Sequence, residues 1–164
     1  KKSLASLLTR CMQQNSVDSL LMTLSLLTKA SVFEETAIEL STDGSKAITQ
    51  LARLLDVPSI EMQQHVVAIL FNLSFHDECI SLISGENIHT TLVALLQQEP
   101  SLYSQAIQLM YHLSSRDEDR QQLHDAGSGL MTVLVNLLQR HHTAGNGELD
   151  ERFAGLLVNV SIVL

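Results

Sequence analysis

Pro58-Ser59-Ile60-Glu61-Met62-Gln63-Gln64-His65-Val66-Val67-Ala68-Ile69-Leu70-Phe71-Asn72-Leu73-Ser74-Phe75 sets the architecture of this chain. Proline suits the first turn of a helix and a neighbouring serine caps free N–H groups, so Pro58 and Ser59 mark a start. Val66, Ile69, Leu70 and Leu73 then fall at helical spacing, which predicts a long helix over 58–75. The helix closes on Leu70-Phe71-Asn72-Leu73-Ser74, and that ending recurs in degenerate form. Leu27-Thr28-Lys29-Ala30-Ser31 lies 43 residues earlier, Met110-Tyr111-His112-Leu113-Ser114 lies 40 later, and Leu157-Val158-Asn159-Val160-Ser161 lies 47 beyond that. Four copies at a period in the forties are the signature of a helical repeat array.

Two further patterns keep the same period. Leu-x-x-Leu-Leu occurs at Leu4/Leu7/Leu8, Leu51/Leu54/Leu55, Leu92/Leu95/Leu96 and Leu134/Leu137/Leu138, with the last leucines 47, 41 and 42 apart. Gly44, Gly85 and Gly127 are 41 and 42 apart and predict sharp turns that need positive φ or close backbone approach. Each repeat is therefore expected to hold a short helix, a glycine turn, a medium helix carrying the leucines, and a long helix ending in the Asn/His-Leu-Ser pattern. In chain order the expected helices are 3–14 and 15–31; 33–40, 45–56 and 58–75; 77–83, 88–98 and 100–115; then 117–126, 130–140 and about 148–164. Residues 141–147 form a longer polar loop. No strand pattern and no domain boundary is visible. The chain starts inside a repeat and ends on apolar residues, so the expectation is one domain over 1–164, a fragment of a longer array.

Composition narrows the function classes. The 164 residues are 45% hydrophobic and only 4% aromatic, with 18 acids against 10 Lys and Arg for a net charge of −8. Without a basic run or interleaved aromatics, nucleic acid and anionic membranes are poor partners. No apolar run reaches the roughly 18 residues of a spanning helix, and no signal peptide is visible at Lys1-Lys2. Cys11 and Cys79 lack any Cys-x-x-Cys spacing and are expected to be buried free thiols.

Three helices per unit of about 42 residues, a glycine turn and a long third helix ending in an Asn-Leu-Ser pattern resemble armadillo repeats over the whole chain. The resemblance implies an all-α right-handed superhelix, an armadillo-type solenoid. It has three complete repeats at about 32–75, 76–115 and 116–162, preceded by a partial one at 1–31. In that family the third helices line a concave groove, and asparagine at the Asn72 position bonds the backbone of an extended partner. This chain keeps Asn72 and Asn159 but has Lys29 and His112 at the matched places. Import receptors of the family carry tryptophan four residues earlier; Ser25, Ala68, Gln108 and Gly155 stand there instead, which argues against a nuclear-import adaptor. The words around Leu27–Glu34, Leu70–Asp77 and Tyr111–Asp117 resemble consecutive repeats of the kinesin-associated protein family, accessory subunits of heterotrimeric kinesin-II. That resemblance implies a non-catalytic scaffold joining the stalk or tail of the motor subunits to cargo adaptors in microtubule-based transport. It acts in the cytoplasm, on the cytoskeleton, and in a cilium or flagellum, with no cofactor and no small-molecule substrate. A catenin-like or formin-regulatory armadillo scaffold is the alternative within the class, and an enzyme using a Cys or His site the alternative outside it.

Lys29, Asn72, Gln108, His112 and Asn159 are the expected partner-binding residues of the groove. An asparagine offers both a donor and an acceptor to backbone amides, but it can equally brace its own repeat. Other patterns carry less. Asn72-Leu73-Ser74 and Asn159-Val160-Ser161 match a glycosylation triplet but lie inside apolar helices. The Leu-x-x-Leu-Leu copies resemble a receptor-binding box but repeat like a core. His141-His142, with His124 and Asp125, lack metal-ligand spacing, so no metal is expected. Asp117, Glu118 and Asp119 are expected to form an exposed helix start. No nucleophile with its base, phosphate loop or paired carboxylates appears, so no catalytic residue is assigned.

Overall fold

The computed structural model describes residues 3–14, 16–42, 46–98, 103–125, 132–136, 139, 154–156 and 158–159. Among them every regular element is helical. Packing separates the chain into two units, residues 1–86 and 87–164. The first holds α1 (Leu4–Gln13), α2 (Val17–Ala30), α3 (Glu34–Thr42), α4 (Lys46–Leu54), α5 (Ile60–Leu73) and α6 (Asp77–Gly85). The second holds α7 (His89–Gln98), α8 (Tyr103–Leu113), α9 (Asp117–Asp125) and helical residues at 132–136, 154–156 and 158–159. α3, α4 and α5 run 9, 9 and 14 residues, so the third helix is the long one as expected, while the first two are equal rather than short and medium.

Local chemistry fixes these boundaries. Ser3, Ser16 and Ser59 sit in extended backbone before α1, α2 and α5, and each side-chain oxygen accepts from the N–H three residues on. Pro58 therefore lies one residue outside the cap of α5 rather than in its first turn. Gln63 braces the approach to α5: its Nε2 donates to the carbonyls of Leu55 at 2.9 Å and Val57 at 3.0 Å. α3, α6 and α9 open on acids, Glu34-Glu35, Asp77-Glu78 and Asp117-Glu118-Asp119, where the helix dipole favours negative charge. The serines that close α2, α5 and α8 are buried, and each donates its own Oγ–H three residues back: Ser31 to Thr28 O, Ser74 to Phe71 O and Ser114 to Tyr111 O.

One expected turn is built differently. Gly85 is the last residue of α6 and has helical, not left-handed, backbone; a Cβ there would meet nothing. The left-handed residue of that turn is Asn87, at φ 54°, a conformation its short polar side chain tolerates. Gly44, Gly127, Pro100, Ser101, Leu137, Leu138, His141 and His142 lie outside the described residues.

The core follows the leucine register. Leu51, Leu54 and Leu55 of the first unit and Leu92, Leu95, Leu96 and Leu134 of the second are all buried. Leu8 is buried as well, whereas Leu4 and Leu7 are half-buried on α1. Along the long helices Leu24 and Leu27 in α2, Val66, Ile69, Leu70 and Leu73 in α5, and Leu109, Met110 and Leu113 in α8 complete the seam. Within the first unit α2 packs on α5, α1 and α4 on neighbouring medium and long helices, and α3 on α6. In the second, α7 packs on α8 and α9. The period also appears in polar contacts. Thr9 Oγ1 donates to Gln50 Oε1 at 3.0 Å, 41 residues on. Thr28 Oγ1 meets His65 Nδ1 at 3.0 Å across 37. Among the described residues no single helix is long and apolar enough to cross a membrane.

Candidate functional site

The long helices carry the expected groove residues. On α2, Lys29 is exposed in the last turn; on α5, Asn72 is half-buried two residues before the cap, Ser74. Because α2 and α5 lie side by side, the asparagine reaches back to the preceding repeat. Its Nδ2 donates to Ser31 Oγ at 2.9 Å and to Thr28 O at 3.4 Å. The second unit repeats the arrangement: Asn159 Nδ2 donates to Ser114 Oγ at 2.8 Å, 45 residues away. In both places the amide of one Asn-Leu/Val-Ser motif meets the serine that ends the motif before it. The bond fastens adjacent repeats at the C-terminal ends of their long helices. It consumes the donor side of the amide. Among the described residues nothing donates to Oδ1 of Asn72 or of Asn159, so an acceptor is left at each.

The other two residues stand on α8. Gln108 is half-buried and its Nε2 donates to Ser104 Oγ at 3.2 Å, one turn back on the same helix. His112 is half-buried, with its ring edge-on to Tyr111 at 6.3 Å between centroids. Tyr111 also explains Gly155. A Cβ at 155 would stand 2.6 Å from Tyr111 Cε2, so the tyrosine ring occupies the space beside a position where import receptors carry tryptophan. The sequence announces this pair only through the absence of any side chain at Gly155. As built, these positions offer amide, imidazole and ammonium groups on helical surfaces. They can bond a peptide backbone and its polar side chains.

Two buried groups lie off this surface. Asp119 was expected at an exposed helix start, yet its side chain is 0% exposed. Asp117 and Glu118 are the exposed members. Asp119 Oδ1 lies 3.0 Å from Nε2 of His89, itself 2% exposed, and Oδ2 lies 3.3 Å from Arg116 Nε. Among the described residues no group makes a well-aligned hydrogen bond to the His89 ring nitrogens or the Asp119 oxygens, so the two side chains meet obliquely. The third acid of the run turns inward because α7 packs on α9 and supplies a histidine there.

Cys11 and Cys79 are both buried free thiols, as expected. Burial pushes the Cys79 thiol above its ordinary value of 9.0; the Glu78 carboxylate pushes the same way, and the Ser41 hydroxyl works weakly against them. That is the reverse of the activation a nucleophilic cysteine needs. A thiol whose pKa is raised in the folded state favours folding below its unfolded value and loses that contribution as pH rises. Stability is therefore expected to fall as pH rises through and above 9.0. Cys79→Ala is expected to flatten that part of a pH-resolved urea-unfolding profile. An unaltered profile would contradict the assignment.

The fold and these positions bear comparison with known proteins. A family model described as kinesin-associated protein (KAP) matches residues 1–159. No curated protein sequence matches the chain. Several solved structures do. A designed armadillo repeat protein in complex with the peptide (KR)4 is 22% identical, with a TM-score of 0.75 over 96% of this chain and 64% of that one. Computationally designed armadillo repeat proteins for modular peptide recognition match at 22% identity and a TM-score of 0.79, again over 96% and 64%. An engineered protein matches at 23% and 0.78, over 96% of this chain and 37% of its own. This chain thus spans 64% of the length of the first two. At these identities the likeness shows the fold, which is the all-α armadillo solenoid.

Proposed function

The chain belongs to the kinesin-associated protein family, and from that membership and its armadillo fold we propose that it is a non-catalytic scaffold linking the motor subunits of kinesin-II to cargo. The observation that carries this reading is the family match over residues 1–159. Protein binding is the coarser part, and the fold supports it: designed armadillo relatives are described with a bound peptide or as built for peptide recognition. The finer part names the stalk or tail of the motor subunits and a cargo adaptor as partners. It places the work in microtubule-based transport in the cytoplasm, on the cytoskeleton and in a cilium or flagellum.

The partner-binding residues stand on the long helices of each unit: Lys29 and Asn72 in the first, and Gln108, His112 and Asn159 in the second. Asn72 and Asn159 serve two ends at once. Nδ2 holds the preceding serine, and Oδ1 accepts a backbone N–H of an extended partner. Lys29 and His112 break the uniformity of the row, which suits one particular segment better than a repetitive peptide. Mixing this chain with purified kinesin-II motor heterodimer and resolving the mixture by size-exclusion chromatography tests the proposal. Co-elution at a fixed stoichiometry is expected. Failure to co-elute with the heterodimer, together with binding to a cadherin tail or a small GTPase, would move the chain to the catenin-like or formin-regulatory reading.

A further inference from the structure

A second surface, on the short first helices, has the chemistry of a binding site and belongs to no part of the long-helix row. Between α3 and α6 lies an open cleft of about 380 Å³. Its walls carry Ile38, which is 54% exposed, and Phe75, which is 61% exposed. Phe75 is held upright by an edge-on contact with Phe71, at 5.2 Å between ring centroids. Around these apolar walls stand the carboxylates of Glu34, Asp77 and Glu78. No lysine or arginine lines the cleft, and none of the three carboxylates has an ion-pair partner among the described residues.

The repeat provides its own control. Glu34, Asp77 and Asp117 occupy the same place, three residues after the serine that closes each long helix. At Asp117 the chain answers the acid itself, through an ion pair with Arg120, and Arg116 pairs with Asp119 beside it. At the place of Phe75 itself stands no apolar residue: the match is Ser115. At the α3–α6 cleft both features are reversed. The acids have no cationic side chain beside them, Glu78 accepting from the Ser41 hydroxyl at 3.3 Å, and the Phe75 ring is largely exposed. Arginine and lysine side chains combine an aliphatic stem with a charged head, and they lay the one on apolar surface while the other meets carboxylate.

We propose that the α3–α6 cleft docks a basic–apolar segment of a partner protein. An arginine or lysine stem lies on Phe75 and Ile38, its head sits among Glu34, Asp77 and Glu78, and an adjacent apolar residue covers the rest of the Phe75 ring. The net charge of −8 aids the approach of such a segment but does not position it. The site is independent of the motor-binding reading, because it uses none of the long-helix residues.

The test is fluorescence anisotropy of the full chain with a fluorescein-labelled peptide of alternating arginine and leucine. Saturable binding is expected, weakened about tenfold or more both by Phe75→Ser and by the pair Asp77→Asn with Glu78→Gln. Glu118→Gln, an exposed acid at the matched place in the second unit, is expected to leave affinity within about twofold. Thermal melting checks that each variant folds. If Phe75→Ser melts early, Ile38→Ser takes its place in the comparison. Absence of saturable binding would overturn the proposal. So would equal weakening by Glu118→Gln, which signals general attraction to an acidic protein. Weakening by Asn72→Ala without an effect of the cleft variants would place the peptide on the long helices instead.

Discussion

Asp119→Ala is expected to destabilise the protein by about 1–3 kcal/mol, the cost of leaving a buried polar group without its partner. Asp119 is fully buried on α9, 3.0 Å from His89 of α7 and 3.3 Å from Arg116. Removing the carboxylate leaves the ring of His89, 2% exposed, without its polar neighbour in a place closed to water. Arg116 is one-third exposed and can turn to solvent, so most of the loss falls on the α7–α9 contact. Urea unfolding at fixed pH measures the effect. Glu118→Ala, one residue away and exposed, is expected to stay within about 0.5 kcal/mol of wild type. Replacing both partners together, as His89→Phe with Asp119→Leu, is expected to recover much of the loss, because an apolar pair of similar volume carries no desolvation cost. Equal stabilities of Asp119→Ala and Glu118→Ala would show that the pair contributes nothing.

Leu96→Ala is expected to cost about 2–5 kcal/mol through lost transfer energy and the cavity left behind. Leu96 is 1% exposed at the end of the third Leu-x-x-Leu-Leu copy, on the face of α7 that packs against α8 and α9. Its neighbour Gln97 is exposed, so Gln97→Ala serves as the control. The repeat register assigns Leu96 to the core from sequence alone. Indistinguishable melting of the two variants would contradict that register.

The elements that were legible in the sequence are those set by short-range rules. The leucines at a fixed period are buried because each repeat presents the same face to its neighbours. Ser59 caps its helix as expected because capping depends only on the next three residues. What escaped depends on residues a repeat apart. The run Asp117-Glu118-Asp119 looks like a solvated helix start until His89, 30 residues earlier, is known to face its third member. Gly85 kept time with Gly44 and Gly127, yet the left-handed residue is Asn87, because α6 runs through the glycine before the turn begins. The division of packing between residues 86 and 87 falls inside the expected repeat 76–115, and no composition shift marks it. Asn72 and Ser31 were both in the recurring motif; what the sequence did not reveal is that one motif bonds to the other.

That bond makes the role of the asparagines separable atom by atom. The account holds that Nδ2 of Asn72 and Asn159 braces the repeats and that Oδ1 contacts the partner. Asn→Ala removes both ends, whereas Asn→Asp keeps an acceptor oxygen and loses the bracing N–H group. Both double variants are expected to lose stability, about 0.5–1.5 kcal/mol per hydrogen bond removed. The most direct test is isothermal titration of the motor heterodimer into wild type, Asn72→Ala/Asn159→Ala and Asn72→Asp/Asn159→Asp, with a melting curve for each. The account predicts that the alanine pair loses affinity by about 1–3 kcal/mol, while the aspartate pair keeps the greater part of it despite a similar loss of stability. Unchanged affinity in the alanine pair, alongside a clear loss of stability, would show that the asparagines only brace the repeats and that the partner binds elsewhere.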